Sequence, residues 1–172
     1  MIEKKVIFDI DTKNLNEEGV FYGYASVFDV VDEQGDIISG GAFDLTKCVP
    51  LLWQHRQDQP IGKVLEMQET EKGLYLKGHI IMEVNQGYEA YKLLKAGVLN
   101  GLSIGYIPQK YKMDKHTGAR IITAVKLMEV SLVTFPANKY ARVSSVKSRH
   151  DGHQLLKARL VRLIETTRNK FA

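Results

Sequence analysis

Between residues 20 and 135 the chain is a succession of short β-type segments, and only NQGYEAYKLLKAG (85–97) carries helical spacing. FYGYASVFDV (21–30) is aromatic and β-branched, and ahead of it Val6, Phe8 and Ile10 alternate with other residues, the period-two pattern of a half-buried strand. VPLLWQH (49–55) reads as a short buried strand entered through Pro50. IGKVLEMQET and GLYLKGHIIM read as two more strands, separated by a turn ending at Gly73. Two long strands follow, GLSIGYIPQKYKM (101–113) and ARIITAVKLMEVSLVTF (119–135), with DKHTG as the hairpin turn between them. Many short strands with one central helix predict a mainly β, α+β fold: a closed or nearly closed antiparallel β-barrel with peripheral helices. In the helical segment Asn85 is placed to cap the start, Tyr88, Tyr91 and Leu94 recur every three residues, and Gly97 supplies the stop. DEQGDIISGG (32–41) is turn-rich and leads into a short helical turn around AFDLTK. After PAN (136–138) the chain turns polar. A second helix over roughly 153–168 carries Leu156, Leu160, Leu163 and Ile164 on one face and Lys157, Arg159, Arg162 and Arg168 elsewhere. The expected division is a barrel domain over 1–145 and a basic amphipathic tail over 146–172.

At 172 residues the chain suits one domain with its own core. Cys48 is the only cysteine, so no intrachain disulfide can form and a reducing compartment is expected. The N-terminus lacks the apolar core of a signal peptide, and no apolar run approaches the roughly 18 residues of a membrane span. A soluble, cytosolic protein is the expectation. Net charge is +4, but residues 1–50 carry four lysines against ten acids, whereas residues 139–172 carry nine Lys or Arg against two acids. The basic end reads as a solvated helix face. No aromatic residue interleaves with the basic ones between Arg142 and Arg168, which argues against nucleic acid as a partner.

Three segments place a reactive side chain within apolar surroundings: His55 at the end of LLWQH, Ser103 in GLSIGY, and Glu129 in LMEVSLVTFPAN. A serine hydroxyl is a poor nucleophile unless an imidazole takes its proton and a third group holds that imidazole in the right tautomer. These residues supply the three chemical types. Each also has an ordinary structural reading: His55 a satisfied strand-end histidine, Ser103 a small residue that lets backbone come close, and Glu129 a solvent-facing strand residue. GLSIG matches the G-x-S-x-G elbow of α/β-hydrolases, yet that elbow needs a strand, a turn and then a helix, with the acid and His after the Ser. Here IGYIPQKYKM follows Ser103 as a strand and His55 precedes it, so that fold is excluded. A Cys48–His55 thiol pair is disfavoured because Cys48 adjoins an apolar run and reads as core. His150 and His153 lack further ligands for a metal, and Asp32 and Asp36 read as turn formers without the later Glu of a calcium loop.

GYASVFD (23–29), GDIISGGAF (35–43), LLWQH with PIG (51–62), a GL-strand-G segment (73–78), KAGVLNGLSIGY (95–106) and LMEVSLVTFPANKYARV (127–143) occur in that order. The collinear set resembles the prohead proteases of tailed bacteriophages, relatives of the herpesvirus assemblins. The resemblance implies His55 as general base and Ser103 as nucleophile. For the group that orients His55 it leaves two candidates, Glu129, which is preferred, and His79 by analogy with the second histidine of assemblins. It implies a seven-stranded-type barrel wrapped by helices and a serine endopeptidase needing no metal or organic cofactor. The implied substrates are the major capsid protein precursor or scaffold protein and the enzyme itself, inside assembling proheads in the bacterial host cytoplasm. Arg142, just after the PAN turn, is expected either to assist electrostatically or to form a surface salt bridge. The oligomeric state, a homodimer included, stays open at this level. The rival reading is a catalytically inactive β-barrel that serves as a capsid scaffold or assembly protein.

Overall fold

The structure, a computed structural model, describes residues 5–7 and 19–146. In chain order the elements are β1 (Lys5–Ile7), β2 (Val20–Val27), β3 (Asp36–Ile38), β4 (Pro50–Trp53), β5 (Arg56–Glu69), β6 (Gly73–Ile80), α1 (Asn85–Lys95), β7 (Gly101–Met113), β8 (Arg120–Val133) and β9 (Val143–Val146). They form one nine-stranded sheet with the path β3-β8-β4-β5-β6-β2-β9, to which β1 adds through β5 and β7 through β8. The expected strands at 101–113 and 119–135 appear as β7 and β8 around a turn closed by Gly118, whose φ of 72° suits glycine. β5 starts at Arg56, ahead of IGKV.

Two features of the barrel expectation are corrected. The sheet is mixed, because β3 and β4 both run parallel to β8. The strand ladder also does not close on itself. β8 is 14 residues long, which leaves room for two short strands on one edge. Its one edge is taken by β7 over the whole strand, while the other receives β3 at Arg120–Ile122 and β4 at Val130–Leu132. Between β2 and β7 the chain segment 141–143 crosses the seam instead of a strand pair. Leu102 N–H donates to Ala141 O at 2.9 Å, Val143 N–H to Asn100 O at 2.9 Å, and Tyr24 N–H to Arg142 O at 3.1 Å. This passage requires Gly23, where a β-carbon would lie 2.8 Å from both Leu102 Cδ1 and Val143 Cα.

The inward faces of these strands build one core from Phe21, Leu51, Ile61, Met67, Leu76, Leu102, Val130 and Leu132, joined by Ala90, Tyr91 and Leu94 of α1. Burying each large side chain contributes roughly 1.5–3 kcal/mol. The helix differs from expectation at its start. Val84 is the N-cap residue and makes no side-chain cap, so Asn85 is the first helical residue. Tyr88 is exposed, and the buried face is Gly87, Ala90, Tyr91 and Leu94. Gly87 belongs there because a β-carbon would overlap Ile81 O. Gly97, with φ of 71°, ends the helix as expected. The helical turn expected around AFDLTK is reduced to a turn at Leu45–Thr46, with no helix. There Phe43 forms a parallel bridge to Val125, and the N–H groups of Gly41 and Phe43 donate to the Glu69 carboxylate at 2.6 and 2.9 Å. Those donors meet a partner from β5 rather than a local helical turn. The second helix expected over 153–168, and the residues Phe8 and Ile10, lie outside the described residues.

Candidate active site

β7 and β8 pair in a register that sets Ser103 opposite Ser131 and Gly105 opposite Glu129. Opposed residues share a face with side chains about 5 Å apart, and residues two apart on one strand share it too. Ser103, Ser131 and Glu129 therefore face one way, opposite to the core residues Leu102, Val130 and Leu132. His55 reaches this patch from the two-residue turn between β4 and β5, which lies on the other side of β8.

Glu129 accepts from both neighbours. His55 Nδ1 lies 2.7 Å from its Oε1, and Ser131 Oγ donates to its Oε2 at 2.6 Å. Ser131 Oγ also accepts the His55 backbone N–H at 3.1 Å. Glu129 is only 8% exposed and Ser131 is fully buried, so these bonds satisfy groups that would otherwise be costly to desolvate. The His55 side chain is 46% exposed. With Nδ1 engaged by the carboxylate, its Nε2 is the nitrogen left to handle protons. Among the described residues no hydrogen bond joins His55 to Ser103; Ser131 lies between them.

The Glu129 carboxylate needs Gly105 across the ladder, because a β-carbon there would overlap Oε1. Neither Gly105 nor Ser131 stood out as functional in the sequence. Their signal is the spacing: each sits two residues from a candidate, in G-L-S-x-G and in E-x-S. His79 lies on β6, paired with Val20 and Lys63, and β4 and β5 separate that strand from β8. The structure thus brings Glu129 to His55 and leaves His79 elsewhere. Cys48 is an exposed residue and not part of the core; its Sγ donates to Val64 O at 3.3 Å, and the partial desolvation of the sulfur there raises its pKa. Arg142 is exposed and donates to Asn100 Oδ1. His150 and His153 lie outside the described residues, and no metal-binding cluster occurs among the described ones.

A narrow crevice beside Ser103 is lined by Ser26, Asp32, Asp36, Tyr106 and Asn138 among others. Asp32 forms the expected turn, accepting from Gln34 and Asp36 N–H, and burial raises its pKa. Asp36 closes the same turn through its backbone, its C=O accepting Asp32 N–H at 2.9 Å, while its side chain is used elsewhere. Its side chain is 1% exposed and accepts Arg120 Nε and Nη2 at 2.7 and 2.6 Å and Tyr106 OH at 2.6 Å. Burial alone would raise its carboxyl, but the Arg120 and Tyr106 bonds outweigh that and hold it below the usual range. Burial and the same carboxylate push the Tyr106 phenol well above its ordinary value.

The crevice draws on four of the six sequence blocks, and the turn carrying His55 supplies a fifth. The prohead protease of Enterobacteria phage HK97 is 34% identical over 139 residues, covering 77% of this chain and 62% of that protein. The prohead protease of Escherichia phage T5 is 30% identical over 158 residues, covering 86% and 71%. A capsid polyprotein of Pseudomonas phage PAJU2 is 31% identical over 146 residues, which are 81% of this chain and 22% of the polyprotein. The chain thus spans less than two thirds of the HK97 and PAJU2 proteins. Among solved structures, a protease of Kaposi's sarcoma herpesvirus with an allosteric inhibitor superposes with a TM-score of 0.45 at 15% identity, over 81% of this chain and 88% of that one. The varicella-zoster virus protease gives a TM-score of 0.37 at 17% identity, over 64% and 62%. The family model described as caudovirus prohead serine protease matches residues 7–155, a span that includes His55, Ser103 and Glu129. The chain belongs to the caudovirus prohead serine protease family.

Proposed function

We propose that this chain is a serine endopeptidase with Ser103 as nucleophile, His55 as general base and Glu129 as the group that orients His55. The observation that carries the reading is the 2.7 Å contact between His55 Nδ1 and a nearly buried Glu129, on the strand pair that presents Ser103. A carboxylate at Nδ1 fixes the tautomer that leaves Nε2 as acceptor, and it stabilises the imidazolium formed when a proton arrives. Ser103 Oγ attacks the scissile carbonyl as Nε2 takes its proton, giving a tetrahedral intermediate. Its collapse returns that proton to the leaving amine and leaves an acyl-Ser103, which water hydrolyses by the same steps. The gap between His55 and Ser103 in the free enzyme is compatible with this, since such bonds tighten when substrate binds.

The proposed substrates are capsid or scaffold precursor proteins, and the enzyme itself, within an assembling prohead. The names of the HK97 and T5 relatives, and the match inside a capsid polyprotein, support that choice. The test is co-expression with a capsid precursor of the encoding phage, comparing wild type with Ser103→Ala by mass spectrometry of the new termini. Loss of the nucleophile should slow cleavage by at least about 10³-fold. Equal cleavage by both proteins would end the reading.

A further inference from the structure

We infer that Gln54 and Thr134 are positioning residues for His55: together they lock the strained turn that carries the imidazole onto the end of β8. The inference rests on the proposed role of His55 as base.

Gln54 and His55 are the two central residues of the turn between paired Trp53 and Arg56, with φ values of 50° and 61°. Two-residue hairpin turns with two positive φ values normally carry residues such as Asn-Gly. A residue with a β-carbon is strained in that region, because the β-carbon crowds the following carbonyl. Nothing local to Gln-His relieves this, so the turn depends on restraints from outside.

The restraints all come from one stretch of chain. Gln54 N–H donates to Leu132 O at 3.0 Å, and His55 N–H donates to Ser131 Oγ at 3.1 Å. The Gln54 side chain then uses both ends of its amide on a single residue: Nε2 donates to Thr134 Oγ1 at 2.9 Å, and Oε1 accepts Thr134 N–H at 3.2 Å. That orientation of the amide is forced, because a backbone N–H can only donate. Thr134 directly follows β8, which also carries Glu129 and Ser131. The clamp therefore ties the turn to the strand that presents the partner of His55. Both of its bonds are exposed, so they add little to folding stability. A small tilt of the turn, by contrast, moves the imidazole off Glu129 and away from Ser103, and misplacement by 1 Å can lower a rate about 10²-fold.

The test uses the full chain and a fluorophosphonate probe, which needs no knowledge of the natural substrate. Ser103 Oγ forms a P–O bond, the P–F bond breaks, fluoride leaves, and His55 takes the hydroxyl proton. Labelling rates are followed by intact mass for wild type, Ser103→Ala, Gln54→Gly, Thr134→Val and Thr134→Ser. Gln54→Gly relieves the backbone strain while removing the clamp, and Thr134→Val removes one acceptor at constant shape. Both should label at least about 10-fold more slowly, while Thr134→Ser stays within about twofold of wild type. Melting temperatures of all three should stay within about 3 °C of wild type. In parallel, the downfield His55 Nδ1 proton signal should be present in wild type and lost in Gln54→Gly. Wild-type labelling rates and an intact His55 signal in Gln54→Gly and Thr134→Val would overturn the inference while leaving Ser103 as nucleophile. If wild type itself is not labelled at Ser103, the proposed function falls separately, and the His55 signal alone decides: loss in the variants supports the clamp, persistence refutes it. A collapsed melting temperature in either variant also counts against it, because the pair would then hold the fold and not the imidazole.

Discussion

Glu129 uses its two oxygens on two different groups, and the consequences can be tested one side chain at a time. In Glu129→Gln the amide keeps the shape; with its carbonyl accepting from the Ser131 hydroxyl, its NH₂ end meets Nδ1 as a donor, which puts the imidazole proton on Nε2. The imidazole would then be the wrong tautomer to accept from Ser103. Peptidase kcat is expected to fall by about 10³–10⁴-fold with little change in KM. His79→Ala is the companion variant, and it should stay within about threefold of wild type, because His79 pairs with Lys63, seven residues along β5 from Arg56 at the turn that carries His55. The reverse pattern would move the orienting role to His79. At this scale the sequence was legible only in part. His55, Ser103 and Glu129 announce themselves as reactive types in apolar segments. Ser131 and Gln54 do not, because the partners that give them a role, His55 for Ser131 and Thr134 for Gln54, lie more than seventy positions away, and in its own segment each looks like any polar residue.

At the scale of elements, β8 organises the site. It supplies Glu129 and Ser131, pairs along its whole length with the strand of Ser103, and receives β4, whose turn carries His55. The periodicity of β7 and β8 and the polar turn between them are local features, and they were legible. Which edge of β8 takes β4, and in which direction, was not, since parallel pairing is decided by the crossover connecting the strands and not by either strand's residues. The helix start shows the same limit: an asparagine at the right place did not cap, because α1 is positioned by packing Ala90, Tyr91 and Leu94 into the core. β9 closes the described chain by pairing Phe21 with Val146 and Tyr22 with Ser145. All three proposed catalytic residues precede it. A chain ending at Val146 is therefore expected to fold and to keep peptidase activity within about threefold of full length. A folded truncation without activity would give the basic tail a part in the chemistry.

For the whole molecule, the Asp36–Arg120–Tyr106 cluster ties β3, β8 and β7 together beside the crevice, and it makes stability depend on pH. Asp36 has a folded pKa below its unfolded value of about 3.9. Its contribution is fully present above that value and is lost as pH falls through the folded pKa. Asp32 acts in the opposite sense, since its raised pKa means that protonation in acid favours the folded state. Asp36→Asn should lower Tm at pH 7 by about 5 °C. The gap from wild type should shrink below pH 4, as measured by thermal melts across pH. A gap independent of pH would show that the cluster is held by packing alone. What the sequence by itself determined was a mainly β chain with one internal helix, its long hairpin, and three reactive side chains set in apolar strands. Alternation, turn chemistry and residue type are properties of a few consecutive positions. Only the tertiary structure decided the mixed pairing around β8, the choice of Glu129 over His79 beside His55, and the contacts of Ser131, Gly105, Gln54 and Thr134. Those depend on which distant strands meet and in what register, and no short window of sequence encodes that.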